Sequence, residues 1–205
     1  MKPIWFLILL IYVFFCWLML RITLQYLPID TDVAFLRIKQ EYIGMGHYRV
    51  AFFAHVFSAI LTLIAGFTQF STPLRRQYPS LHRWSGWVYA TNVLFVAGPS
   101  GLVIGIYANG GWSSQLAFCL LAVLWMIFTG LAIWSIRRGD IPAHRRWMIR
   151  SFALTLSAIT LRAWKFAIVA AFEPRPMEVY RLVAWLGWVL NLVVAEWWIR
   201  IIKKY

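Results

Sequence analysis

Apolar residues run along the chain in long blocks, broken by short polar clusters. Runs of about eighteen or more apolar residues mark helices that cross a bilayer. Six such segments are predicted, near residues 3–25, 50–71, 82–106, 113–136, 145–171 and 179–201. The expected fold class is all-α, a polytopic membrane helix bundle forming a single transmembrane domain over 1–205. Segment 27–48 carries Pro28, Asp30, Asp32, Gly44 and Gly46. It is the longest connection and has room for a small element outside the membrane. The first apolar run follows a single Lys and has no small-residue cleavage site, so it reads as a retained first helix.

Two of the polar interruptions echo one another. Arg75-Arg76-Gln77-Tyr78-Pro79-Ser80-Leu81-His82-Arg83-Trp84 is answered by Arg137-Arg138-Gly139-Asp140-Ile141-Pro142-Ala143-His144-Arg145-Arg146-Trp147. Each has a paired arginine, six positions from its second Arg to a His, and a proline between. The echo predicts that the second and third segments repeat as the fourth and fifth. Ser80 and Asp140 are expected N-caps, and Pro142 suits a first helical turn, where a missing N–H costs little. Trp84, Trp87, Trp134 and Trp147 are expected at the inner interface. Pro99, in Gly98-Pro99-Ser100-Gly101, falls about 25 Å beyond His82 at 1.5 Å per residue. It is expected to kink or end its helix near the outer side.

Composition sharpens this picture. The 205 residues are 62% hydrophobic and only 13% charged, with a mean hydropathy of +0.70. Soluble domains carry about 25% charged residues. The net charge of +13 is divided among short loops and does not form one basic face, which argues against nucleic acid as a partner. The lipid bilayer is the expected partner. Lys2, the arginines of the two hairpins, Arg150, Arg200, Lys203 and Lys204 then fall on one side. Arg21, Arg37, Lys39, Arg49, Arg175 and Arg181 fall on the other. The positive-inside rule places the hairpins inward. The expectation is a cell (inner) membrane protein with both termini cytoplasmic. Cys16 and Cys119 lie within apolar runs and read as packing residues.

Candidate chemistry rests on the histidines. His82 and His144 open parallel segments at the same depth, and paired imidazoles on different helices suit haem b or another metal. Ser85, Gly86 and Tyr89 share the His82 face, and Gly86 would let a flat ring approach. Trp147, Met148 and Ser151 share the His144 face. Arg83 and Arg145 could hold propionates or other anions. The competing reading is interfacial: a His-Arg pair bonding lipid phosphate or loop carbonyls. His55 stands on a stripe with Ser58, Ala59, Thr62, Gly66 and Gln69. It is a cofactor-site or pathway candidate, because an ionisable residue at that depth is a functional hypothesis by default. The alternative is a neutral His bonded to a neighbouring helix. His47 is expected in a solvated loop. Arg162 and Lys165 either snorkel to the outer interface or form an outer site for an anion or quinone head. Glu196 is expected to pair with an inner arginine. No phosphate loop, nucleophile triad, carboxylate dyad or Cys-pair metal motif is present.

His55, Gly66-Phe67-Thr68-Gln69-Phe70, the hairpin to His82-Arg83-Trp84, Gly98-Pro99-Ser100-Gly101-Leu102 and His144-Arg145-Arg146-Trp147-Met148-Ile149-Arg150-Ser151 resemble an uncharacterised bacterial family of predicted membrane proteins. The resemblance covers roughly residues 50–165 and implies architecture without naming a reaction. More loosely, the chain is similar to transmembrane cytochromes b of the ascorbate- and ferric-reductase kind, which implies haem held by His on neighbouring helices. The chain has too few membrane-depth His for two bis-His haems. Three readings stand: a redox protein with one haem b or metal and a quinone or protein redox partner, a non-catalytic membrane subunit or assembly factor, and a small-solute transporter.

Overall fold

The structure, a computed structural model, describes residues 3–70 and 72–202, and among them every regular element is helical. The helices are α1 (Pro3–Leu24), α2 (Gln40–Ile43), α3 (Gly46–Thr68), α4 (Thr72–Gln77), α5 (Pro79–Asn92), α6 (Gly98–Ile106), α7 (Trp112–Arg137), α8 (Ile141–Thr155), α9 (Ser157–Phe172) and α10 (Pro176–Ile202). Four stretches are long and apolar enough to cross a bilayer: Gly46–Gly66, Pro79–Ile106, Trp112–Arg137 and Pro176–Ile201. The pair α8 and α9 makes a fifth if its 42° bend lies within one span. The expected lipid-facing character is evident on the outside of the bundle, where Phe95, Leu61, Ile127 and Val194 are exposed.

Helix starts follow local chemistry. Pro79 occupies the first turn of α5, with Tyr78 as the cap residue and no side-chain capping bond. Ser80 is therefore inside the helix, correcting its assignment as N-cap. A proline already has the φ of a first helical turn, so the helix begins there. At α8, Asp140 is the N-cap and accepts a hydrogen bond from the Ala143 N–H at 2.8 Å. Pro142 follows inside the first turn.

Pro99 neither ends its helix nor lies at a break. A π turn at Val93–Ala97 precedes it, with the Gly98 N–H donating to the Val93 carbonyl, and the helix runs on to Ile106. Proline has no N–H and crowds the carbonyl four residues back. The wider turn shifts the hydrogen-bond register just before that clash. A second interruption was not expected. The segment read as one helix over 145–171 bends at Leu156, between α8 and α9. Around it, Thr155 and Thr160 hydroxyls donate back to the Ser151 and Leu156 carbonyls, a local competition that bends helices.

The packing order places the centre of the bundle. α7 packs on α6 and α8, α9 and α8 on α10, and α3 on α5 and α6, while α1 lies against α3 and α9. Tyr89, Val93, Trp125, Phe152, Leu154 and Trp188 form the main core. A second cluster sits around the connection between α1 and α3. There the connection after α1 folds as a short 3-10 turn (Ala34–Lys39) followed by α2. Leu36 and Ile43 bury themselves with Tyr26, Tyr48 and Phe52. Apolar side chains at these positions turn a loop into a cap over the helix ends.

Candidate functional site

Beneath that cap lies a cavity of about 470 Å³, within the roughly 300–1,000 Å³ range of small-molecule sites. Its walls are mainly apolar, including Ile60, Leu63, Leu121 and Leu154, and Trp125 and Thr155 also line it. Its polar groups include Lys39, His55, Arg162, Lys165, Tyr26 and Tyr180. Among the described residues, no Asp or Glu lines it.

Sequence reasoning assigned Lys39 to the outer loop, and the fold buries it to 2% exposure. Its ammonium donates to the Tyr107 carbonyl and lies 5.0 Å from the Tyr42 ring centroid and 5.9 Å from that of Phe35. Such cation–π contacts offset part of the cost of burying a charge. Burial still pushes the Lys39 ammonium below its ordinary pKa, against the opposing charge of Glu41. Arg162 donates to the Ala158 carbonyl at 2.6 Å. That contact uses one of five guanidinium donors. Arg162 is close enough to Tyr26 and His55 to act on both electrostatically. Lys165 lies one turn further along α9, and both cations are accessible.

His55 is fixed by its backbone neighbour. Its Nδ1 lies 2.9 Å from the Ala97 carbonyl, at the end of the π turn. A carbonyl only accepts, so Nδ1 carries the proton in this contact and Nε2 is the bare nitrogen of a neutral ring. Gly101 makes the approach possible, since a Cβ there would stand 3.1 Å from the ring. The stripe predicted with His55 divides. Ala59 and Thr62 line the cavity. The Ser58 carbonyl accepts from Asn92 at 2.7 Å, and Gln69 donates to Ser85 at 2.5 Å. His47 is exposed in the first turn of α3, with Nε2 2.7 Å from the Tyr107 hydroxyl.

The paired histidines lie further in. Tyr89 of α5 and Ser151 of α8 meet at 2.7 Å. His82 and His144 each precede these residues by seven positions, two turns on the same faces. His144 is close enough to His82 to act on it electrostatically. The His144 Nδ1 donates to the Ala132 carbonyl at 2.9 Å, which in the neutral tautomer leaves Nε2 as an acceptor. Among the described residues, the buried His82 Nδ1 has no hydrogen-bond partner. The flat approach expected at Gly86 is taken by Gln69, whose Oε1 would be 3.1 Å from a Cβ there. A porphyrin fits against Gly86 only with Gln69 displaced.

Arg83 and Arg145 are exposed. Other cations find aromatic faces: the hairpin's Arg137 lies over Trp87 and Arg138 over Trp134, and Arg150 of α8 lies over Trp147, at 5.9, 4.3 and 4.6 Å. Glu196 pairs with Arg150 in a two-point contact, at 2.5 and 2.9 Å. Sequence reasoning missed the polar knot of Tyr89, Trp125, Thr129, Ser151 and Thr155, because each residue is ordinary on its own helix. The one available signal was Tyr89 and Ser151 two turns beyond the repeated histidines.

No curated protein and no solved structure matches the chain. A family model described as "Predicted membrane protein (DUF2306)" matches residues 52–199, a span that includes His55, His82, His144, Arg162 and Lys165, and the chain belongs to that uncharacterised family.

Proposed function

We propose that the protein binds a lipid-soluble molecule with a polar head inside the bilayer and carries or presents it at the outer side. The observation that carries this reading is the 470 Å³ apolar cavity with its charged groups beneath the cap. Pockets of this kind use many apolar contacts for affinity and a few polar groups for orientation. A quinone or a simple lipid has the required form. The test is extraction of the protein purified in mild detergent, followed by mass spectrometry. One lipophile is expected at near-stoichiometric yield, lost when Ala59→Phe fills the cavity wall. Only bulk lipid, in equal amount from both proteins, counts against a binding role.

A second reading is electron transfer through one haem b or a metal held by His82 and His144. It is favoured by the acceptor Nε2 of neutral His144 and by the His82 Nδ1, which has no hydrogen-bond partner among the described residues. Such a group would supply one-electron chemistry. The chain's part is to fix the His144 ring through the Ala132 carbonyl, a second-shell bond of the sort that orients metal ligands. The same purified sample decides this. A Soret band that disappears in both His82→Ala and His144→Ala supports it, and a colourless, metal-free preparation removes it.

In this reading the protein crosses the inner membrane six times, α1 and the bent α8–α9 pair each counting as one span, with a two-helix repeat and both termini cytoplasmic. The arginine-rich hairpins set that orientation. Reporter fusions after Arg76 and Arg138 are expected to report cytoplasm, and one after Gly110 the outside. The reverse at both hairpins overturns the orientation.

A further inference from the structure

Resting on the cavity reading above, we infer that the ligand's head is anionic: the cavity takes a single-chain amphiphile ending in a carboxylate or phosphate. The argument begins with charge balance. Among the described residues, Lys39, Arg162 and Lys165 line one cavity and no carboxylate does. Elsewhere the chain neutralises a half-buried cation directly, as in the Arg150–Glu196 pair. Here it does not. Glu41 acts on Lys39 but lies outside the lining. Like charges around a low-dielectric space repel strongly and favour an opposite charge between them.

The donors also suit an anion. Arg162 keeps most of its planar donor fork free, the geometry that matches a carboxylate or phosphate in two-point contact. Lys165 presents an ammonium on the same face of α9. Lys39 is held by the Tyr107 carbonyl and ring faces, so its position is set before a ligand arrives. His55 adds its Nε2, which accepts a proton from an acidic head or, once protonated, donates to it. The rest of the cavity suits a chain. Ile60, Leu63, Leu121 and Leu154 supply apolar wall beside the charged groups, and Trp125 and Thr155 also border the cavity.

The test uses the full protein in neutral phosphatidylcholine nanodiscs and compares binding of labelled palmitate and labelled hexadecanol. Palmitate is expected to bind at least tenfold more tightly. The preference should fall severalfold in Arg162→Gln and in Lys165→Gln. It should persist in Arg21→Gln, a cation outside the lining. Monodisperse elution of each variant guards against misfolding. Equal binding of palmitate and hexadecanol overturns the anionic head while leaving the cavity reading intact. Binding of neither overturns both. A preference unchanged in Arg162→Gln and Lys165→Gln places the anion elsewhere and overturns this site. Hexadecyl phosphate in place of palmitate separates the two head types. Displacement by inorganic phosphate as effective as by hexadecyl phosphate shows that no chain is needed, and overturns the amphiphile.

Discussion

Replacing Gly98 with valine should prevent assembly of the bundle, giving aggregated protein where the wild type elutes as a single species. A Cβ at this position would stand 2.3 Å from the Val93 carbonyl oxygen and 2.5 Å from the Met126 Cγ. Methionine can swing aside, because its side chain is unbranched and flexible. The carbonyl cannot, because it accepts the Gly98 N–H that closes the π turn. Relief therefore requires undoing the turn that accommodates Pro99. Overpacking a core costs about 1–3 kcal/mol when side chains can adjust, and more when backbone must move. The cost here is expected above about 3 kcal/mol. Gly130→Ala is the control, since the nearest atom to its new Cβ is Leu94 Cδ2 at 4.0 Å. It should elute and melt as the wild type does. Normal elution and melting of Gly98→Val would contradict a close α6–α7 contact at Gly98 and Met126.

The same π turn marks where sequence reading stopped. Pro99 was visible as a disturbance, but its remedy depends on how five preceding residues bond, and no residue among them is unusual. The helical ends were more legible, because caps are chemical: Asp140 with Pro142 is a strong start signal, and the Asp140 carboxylate does accept from Ala143. Ser80 failed as a cap because Pro79 had already begun the turn. The bend at Leu156 was invisible, since an apolar residue between hydroxyl-bearing ones is common inside membrane helices.

Legibility of the site followed the same division. His55, Arg162 and Lys165 announced themselves as charges or ionisable groups within apolar runs. Their convergence on one cavity did not, because it depends on how the cap and α9 close over α3. Lys39 looked like an ordinary loop cation. Only the packing of Leu36 and Ile43 against Tyr48 and Phe52 carries it inward. The histidine pair was legible in spacing, and Gln69 over Gly86 was not, because that contact joins the residue after α3 to the middle of α5.

Tyr89 should prove the most sensitive side chain at the centre of the bundle. It is 0% exposed, and its hydroxyl meets Ser151 and Thr155 at 2.7 Å each and accepts from the Trp125 indole at 3.2 Å. Tyr89→Ala removes both the ring and the hydroxyl, and a cavity of this size is expected to cost about 3–5 kcal/mol. Tyr89→Phe keeps the ring. Its cost should be smaller, about 0.5–2 kcal/mol, because the remaining partners satisfy one another. Trp125 still donates to Thr155 at 3.0 Å, and Ser151 still meets Thr129 at 2.7 Å. Unfolding in detergent by heat or by added SDS measures both. The order wild type, Tyr89→Phe, Tyr89→Ala should hold, and Ser151→Ala should be less than additive with Tyr89→Phe because the two share one bond. Strict additivity, or a Tyr89→Phe loss equal to that of Tyr89→Ala, contradicts the network. The consequence reaches the histidines. Tyr89 and Ser151 set the height of α5 against α8, so Tyr89→Ala should also weaken any metal held between His82 and His144, two turns away and without touching either ring.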